Sequence, residues 1–169
     1  MPERRELRWE YEVVEVGQTG PTITVEVTDE LISEYAAAVR NDNPAYRASE
    51  ERAEADGATL AMPTMITRVA PLRRYDIAAH NGFVALERAS EDPRQTPFAK
   101  CELRWFAPVR AGDAIASFGR VIDKYQRRGN KFVTIRVEAS NQRGQKVAEY
   151  DYTCIFEYAR GQKTREEPD

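Results

Sequence analysis

The chain has 169 residues, 41% of them hydrophobic, which is enough for one well-filled core and short for two ordinary domains. Its formal net charge of -3 is spread along the sequence without a basic block, which argues against nucleic acid as a partner. Residues 1–160 are therefore predicted to form one domain, and residues 161–169 a disordered tail.

The sequence shows no targeting or membrane segment. Residues 1–6 run straight into charged sequence without the apolar core of a signal peptide, and no apolar run is long enough to cross a bilayer. We therefore expect a cytoplasmic protein with no membrane partner. Cys101 and Cys154 fall on the apolar phase of strand-like alternations, which favours buried thiols over a disulfide or a zinc site.

The first predicted elements are a strand over residues 23–27 and a helix directly after it. Thr28 suits the N-cap of this helix, and the apolar residues over 32–39 recur at helical spacing. The helix is predicted to stop before Asn41-Asp42-Asn43-Pro44, because these residues favour turns and the proline restricts the residue before it.

A charged, alanine-rich stretch over residues 48–58 indicates an irregular or short helical surface segment. A second helix is predicted to begin at Pro63, which suits a first-turn position. Its apolar residues give the broad face of a buried central helix; they are Met65, Val69, Leu72 and Ile77. No element is predicted over residues 82–97, where a mobile loop is expected.

From Phe98 onward the hydrophobic period changes to two, which predicts four strands over residues 98–105, 114–124, 132–140 and 147–158. Short glycine-containing connections join the last three strands and predict an antiparallel meander. The layout predicts an α+β domain whose sheet curls around the apolar helix. A second subunit is expected to cover the edge strand that this sheet leaves exposed.

Three segments of the sequence carry motifs of a known family. Residues 35–46, anchored by Asn43-Pro44, resemble the segment Gly-Asp-x-Asn-Pro-x-His of the MaoC-like hydratase family. Residues 61–65 resemble the start of the central helix of a hot-dog fold, and residues 104–113 resemble the family's strand followed by Pro-Val-x-x-Gly-Asp. The resemblance covers residues 22–158 and implies a single hot-dog domain packed beside a second hot-dog unit.

The resemblance implies an (R)-specific enoyl-thioester hydratase or dehydratase, with acyl chains carried on coenzyme A or acyl carrier protein as part of the substrate, no other cofactor and no metal. The family's aspartate falls on Asn41 and its histidine on Tyr46. Neither side chain is a general base at neutral pH. The backbone amides of Thr64 and Met65, at the start of the central helix, are expected to bind the thioester oxygen.

Two other residues are candidate replacements for the missing acid and base. Asp42 supplies a carboxylate, but a tight Asn-Asp-Asn-Pro loop favours the capping of neighbouring amides, so that a catalytic Asp42 is the minor alternative. His80 is the only histidine. A continuous helix places it about 24 Å from the oxyanion amides, near the helix C-terminus.

Two further groups of side chains are interpreted as structural. Arg68, Arg73 and Arg74 are expected on a solvated helix face in preference to a phosphate site. Trp105 and Tyr150 are expected to fill the core or a subunit interface.

The replaced acid and histidine resemble the degenerate unit of double or heteromeric hot-dog hydratases. The first prediction is therefore a subunit that shapes the acyl pocket of an enoyl-thioester hydratase or dehydratase and pairs with a catalytic hot-dog subunit. The alternatives are a self-sufficient homodimeric hydratase and a non-catalytic acyl-thioester-binding protein. A thioesterase is disfavoured because residues 64–69 contain no carboxylate to activate water.

Overall fold

The computed structural model describes residues 6–50 and 57–161 of the chain. The predicted surface segment over 48–58 falls largely outside these ranges, as does the predicted tail beyond Gly161. Within them, the chain forms one antiparallel sheet on which short helices pack, as the α+β prediction required.

Five strands make up the sheet: β1 (Ile23–Glu26), β2 (Phe98–Trp105), β3 (Ala114–Arg127), β4 (Asn130–Ser140) and β5 (Lys146–Glu157). Their order across the sheet is β1-β3-β4-β5-β2, and every neighbouring pair is antiparallel. The predicted meander is confirmed as β3-β4-β5. Strand β2 pairs with the outer side of β5 and is one of the two edge strands of the sheet.

Helix α1 (Asp29–Ala38) begins and ends as its residues predict. The Thr28 hydroxyl accepts a hydrogen bond from the Leu31 amide at 3.1 Å, which confirms the N-cap. At the other end Arg40 adopts a left-handed conformation with φ 56°, and the Asn41 amide donates to the Ala36 carbonyl at 2.8 Å. This reversal satisfies the last carbonyls of the helix and directs the chain into the asparagine-rich turn.

The prediction of one continuous central helix is wrong. The segment forms a 3-10 turn over Pro63–Met65, a short helix α2 (Ile66–Val69) and a separate helix α3 (Arg74–His80). Pro71 explains the break, because proline disfavours the helical conformation at the residue before it and has no amide hydrogen to donate. Ala70 accordingly has φ -131° and ψ 67°, and its carbonyl accepts a hydrogen bond from the Tyr150 hydroxyl at 2.6 Å.

Two hydrophobic clusters fill the space between the helices and the sheet. The first joins α1 and α2 to the inner face of β3, β4 and β5, with Met65 and Ile32 fully buried. The second joins α3 to the other half of the sheet and includes Trp9 from the N-terminal segment. The Trp9 indole N–H donates to the Gln18 side chain at 2.9 Å. The sequence patterns did not predict that this segment belongs to the core.

The opposite face of the sheet carries ion pairs. Glu149 and Asp151 alternate in β5 with the core residues Ala148 and Tyr150, so they project to the other side. Asp151 accepts from Arg136 at 2.7 Å, and this hydrogen bond lowers the pKa of its carboxyl group. The pKa of Glu149 is lowered chiefly by a hydrogen bond from the Lys146 ammonium.

Residues 82–97, for which no element was predicted, include a 3-10 turn over Leu86–Arg88. Arg74 holds this region to the sheet, because its guanidinium pairs with Glu87 at 3.2 Å and donates to the Thr96 carbonyl at 2.8 Å. The expected solvated position is therefore wrong for Arg74. The thiols of Cys101 and Cys154 are free, with Cys154 fully buried and Cys101 partly so.

Candidate active site

The three segments that carry the family resemblance lie side by side in the structure. The Leu60 amide donates to the Ala45 carbonyl at 3.2 Å, which joins the asparagine-rich turn to the start of the central helical segment. The Ala61 amide donates to the Val109 carbonyl at 2.9 Å, which joins that start to the loop after β2. Backbone hydrogen bonds thus hold three segments that are far apart in the sequence next to one another.

A cavity of about 340 Å³ lies at this junction. Its lining residues are Tyr46, Leu60, Ala61, Met62, Pro63, Met65, Ile66, Val69, Trp105, Phe106, Ala107, Pro108, Val109, Val147 and Ala148. The lining residues Trp105 and Phe106 are exposed and form the rim, whereas Val69, Val147 and Ala148 are buried parts of the wall. The volume and the apolar lining are those of a site for a small apolar group.

The chemistry of the lining is limited. Among the described residues that line the cavity there is no carboxylate, imidazole, thiol, ammonium or guanidinium group, and Tyr46 contributes the one titratable side chain in this set. Tyr46 is half-buried at the end of a 3-10 turn over Pro44–Tyr46. The cavity walls therefore offer an apolar binding surface and no evident general base.

Asn41 and Asn43 shape the turn that leads to Tyr46. The Asn41 side-chain oxygen accepts from the Asn43 amide at 3.0 Å, and the Asn43 side-chain oxygen accepts from the Ala45 amide at 2.9 Å. The Asn41 side-chain nitrogen lies 3.7 Å from the Met62 sulfur, to which it donates. Asn41 therefore contacts the cavity wall through Met62 and is otherwise occupied in holding the loop.

The prediction that Asp42 caps the neighbouring amides of the turn is wrong. Its side chain is 92% exposed and pairs with Arg47 at 2.7 Å, while the two asparagines make the capping hydrogen bonds. Asp42 is also absent from the cavity lining. The structure thus separates this carboxylate from the apolar site.

The two predicted oxyanion amides differ in their surroundings. The Met65 amide already donates to the Met62 carbonyl at 2.9 Å. Thr64 lies in the first turn, where amides have no intrahelical acceptor, and its amide makes none of the described backbone hydrogen bonds. The Thr64 hydroxyl oxygen accepts from the Tyr35 hydroxyl at 3.2 Å. Thr64 is exposed beside the cavity rim formed by Pro63.

Of the other candidate residues, His80 and Tyr150 lie outside the cavity lining, whereas Trp105 belongs to it. His80 is exposed at the end of α3, as expected for a C-terminal helix residue, although α3 is a separate helix. Tyr150 is buried in the core, as predicted, whereas Trp105 is 47% exposed and lies at the cavity rim. Within residues 6–50 and 57–161 no cluster of three His, Cys, Asp or Glu side chains suits a metal ion.

Several lining residues were not identified from the sequence. Phe106, Val147 and Ala148 belong to the loop after β2 and to β5, which the residue patterns marked only as strand ends. The Phe106 amide donates to the Val147 carbonyl at 2.9 Å and brings these parts together. Long-range pairing of this kind leaves no local sequence signal apart from the alternation of the strands themselves.

An antiparallel five-stranded sheet packed around a short central helix, with a cavity at the helix start, defines the hot-dog fold. The family described as "FAS1-like, dehydratase domain region" matches residues 15–150, and the chain belongs to this family. No helix in the described part of the chain is long and apolar enough to cross a membrane.

A UPF0336 protein of Saccharopolyspora erythraea is 30% identical to this chain over 151 residues, which cover 88% of this chain and 89% of the relative. Among solved structures, the HadBC (3R)-hydroxyacyl-ACP dehydratase complex of Mycobacterium tuberculosis is 25% identical, with a TM-score of 0.65 over 84% of this chain and 98% of that chain. The R-hydratase PhaJ1 of Pseudomonas aeruginosa is 19% identical, with a TM-score of 0.61 over 95% and 94%. The structural neighbours thus include a hydratase and a dehydratase complex.

Proposed function

We propose that the chain is the pocket-forming subunit of a heteromeric enoyl-thioester hydratase or 3-hydroxyacyl-thioester dehydratase. The observation that carries this proposal is the apolar cavity at the helix start, whose lining over residues 6–50 and 57–161 has no carboxylate or imidazole. Hydration of a double bond needs a base and an acid, so a second hot-dog subunit supplies the aspartate and histidine. The likeness to HadBC, a two-subunit dehydratase complex, supports the same arrangement.

In this proposal the acyl chain enters the cavity past the exposed rim and ends against Val69 and Ala148. The thioester carbonyl lies at the helix start, where the Thr64 amide donates to the oxygen as enolate charge develops. Because the Met65 amide is bonded to the Met62 carbonyl, Thr64 is the better donor of the two. The acyl carrier is coenzyme A or acyl carrier protein, as part of the substrate.

The catalytic partner is expected beside β2. This strand is the outermost strand on its side of the sheet, and its terminal residues Phe98 and Trp105 are 56% and 47% exposed. An exposed edge strand with aromatic side chains is a site at which another chain can pair. The cavity rim at Trp105 and Phe106 directly follows this edge, so a partner there reaches the helix start.

The test is reconstitution. The chain is purified alone and together with a MaoC-like protein encoded next to it, and hydration of enoyl-CoA substrates of increasing chain length is measured. We expect activity in the mixture and none above background from the chain alone. Full activity of the chain alone would overturn the heteromeric role, and acyl-CoA binding without activity in either sample would favour a binding protein.

A cavity-filling variant tests the acyl site in the same assay. Ala148→Leu adds volume at a buried position of the cavity wall and is expected to raise KM for long acyl chains more than for short ones. Ala79→Leu makes the same change at an exposed position of α3 and serves as the matched control. Equal effects on all chain lengths would place the acyl chain elsewhere.

A further inference from the structure

The Trp105 side chain both lines the cavity and forms a hydrogen bond with the start of the central helical segment. Its ring lines the cavity, and its indole N–H donates to the Pro63 carbonyl at 2.9 Å. The residue is the last one in β2, where its Cα pairs with that of Ala148 across the sheet. The indole therefore links a fixed strand end to the first residue of the 3-10 turn.

The Pro63 carbonyl receives two donors. The Ile66 amide bonds to it within the turn, and the Trp105 indole bonds to it from the sheet side. A carbonyl oxygen has two lone pairs, so both hydrogen bonds are compatible. The next residue is held by a different element, because the Tyr35 hydroxyl of α1 donates to the Thr64 hydroxyl. Hydrogen bonds from β2 and from α1 thus hold Pro63 and Thr64, respectively. The peptide unit between these two residues carries the candidate oxyanion amide.

We propose that Trp105 is a positioning residue, which orients the Pro63-Thr64 peptide so that the Thr64 amide points at the thioester oxygen. This inference rests on the proposed function. The ring and the indole N–H belong to one rigid group, so an acyl chain that packs against the ring also fixes the hydrogen bond to Pro63. Trp105 thereby connects occupation of the acyl cavity to the geometry of the oxyanion donor, without itself touching the reacting atoms.

Trp105→Phe keeps an aromatic cavity wall and removes the N–H donor. In the reconstituted enzyme we expect kcat to fall by about tenfold to a hundredfold, with KM within about twofold, because a small misplacement of a transition-state donor affects the chemical step. Phe106→Leu is the matched control, since Phe106 lines the same rim without a hydrogen bond to the turn. It is expected to raise KM and to leave kcat within about twofold. If Trp105→Phe folds poorly, Trp105→Tyr removes the same N–H and keeps a polar tip.

Amide hydrogen exchange of the isolated chain gives a readout that needs no activity. Trp105→Phe is expected to accelerate exchange in the peptide over residues 64–66, whereas Phe106→Leu leaves it unchanged. Unchanged exchange in Trp105→Phe, or faster exchange with an unchanged kcat, would overturn the positioning role. An inactive reconstituted wild type would overturn the proposed function instead. The exchange rates would then still test whether the hydrogen bond from the Trp105 indole to the Pro63 carbonyl orders the turn.

Discussion

At the scale of single residues, Asn41 suits its surroundings better than the family's aspartate does. Its side-chain oxygen accepts from the Asn43 amide as an aspartate would, but its nitrogen also donates to the Met62 sulfur, which a carboxylate cannot do. The loop geometry is therefore retained while the general base is absent. Tyr46 likewise keeps a place in the cavity lining, where it contributes a hydroxyl group in place of the family's imidazole.

Asp42→Ala separates the heteromeric proposal from a self-sufficient enzyme. Because Asp42 is exposed, pairs with Arg47 and does not line the cavity, we expect the reconstituted enzyme to keep kcat/KM within about twofold. Arg47→Ala, which removes the other member of the pair, is the control and should behave alike. A loss of a hundredfold or more in Asp42→Ala alone would identify the carboxylate as catalytic.

At the scale of elements, the break at Pro71 determines where α3 packs. Helix α3 lies against the second half of the sheet, and Ile77 enters the cluster formed with Val121, Val133 and Ile135. Strand β3 has a glycine at this contact, since a Cβ on Gly119 would lie 2.8 Å from the Ile77 Cδ1 atom. The close approach of helix and strand therefore depends on the missing side chain.

Gly119→Ala is expected to lower the free energy of unfolding by about 1 to 3 kcal/mol, because the added methyl overpacks the contact with Ile77. Ile77→Val removes the clashing Cδ1 atom and alone costs about 1 kcal/mol. In the double variant the two losses should not add, since the smaller helix residue accommodates the methyl. Urea unfolding of the four proteins measures the coupling. If the two changes in the free energy of unfolding were strictly additive, the added methyl and the Ile77 side chain would not be in conflict.

At the scale of the whole molecule, the sheet has one apolar face under the helices and one charged face. On the charged face Arg104 and Arg136 both bond to Asp151, which is 8% exposed. Charged side chains thus shield the carboxylates of Asp151 and Glu149 from water in place of a second hydrophobic layer. The free energy of this network depends on the ionisation of those carboxylates.

Asp151→Asn is expected to lower the free energy of unfolding by about 2 kcal/mol at neutral pH, by weakening charge-assisted hydrogen bonds. Since the folded pKa of Asp151 is lowered by Arg136, its stabilisation is complete above the unfolded pKa of about 4 and is lost as the pH falls through the folded value. The difference between wild type and variant should therefore shrink below about pH 4. Urea unfolding from pH 7 to pH 3 measures this difference in the free energy of unfolding.

The control for Asp151→Asn is Glu102→Gln, which changes the exposed partner of Arg104. A difference that is constant with pH would contradict the argument.

The sequence by itself determined the strands, the capped first helix and the meander, because hydrophobic period and turn residues act over a few neighbouring positions. It also identified the segments that meet at the site, through their resemblance to a family. Tertiary structure alone decided that Trp105 lies at the cavity rim, that Arg74 is held by Glu87, and that Trp9 completes the core. These contacts join residues far apart in the chain, so no local pattern specifies them. Pro71 was visible in the sequence, but only the packing of Ala70 against Tyr150 showed how the broken helix is accommodated.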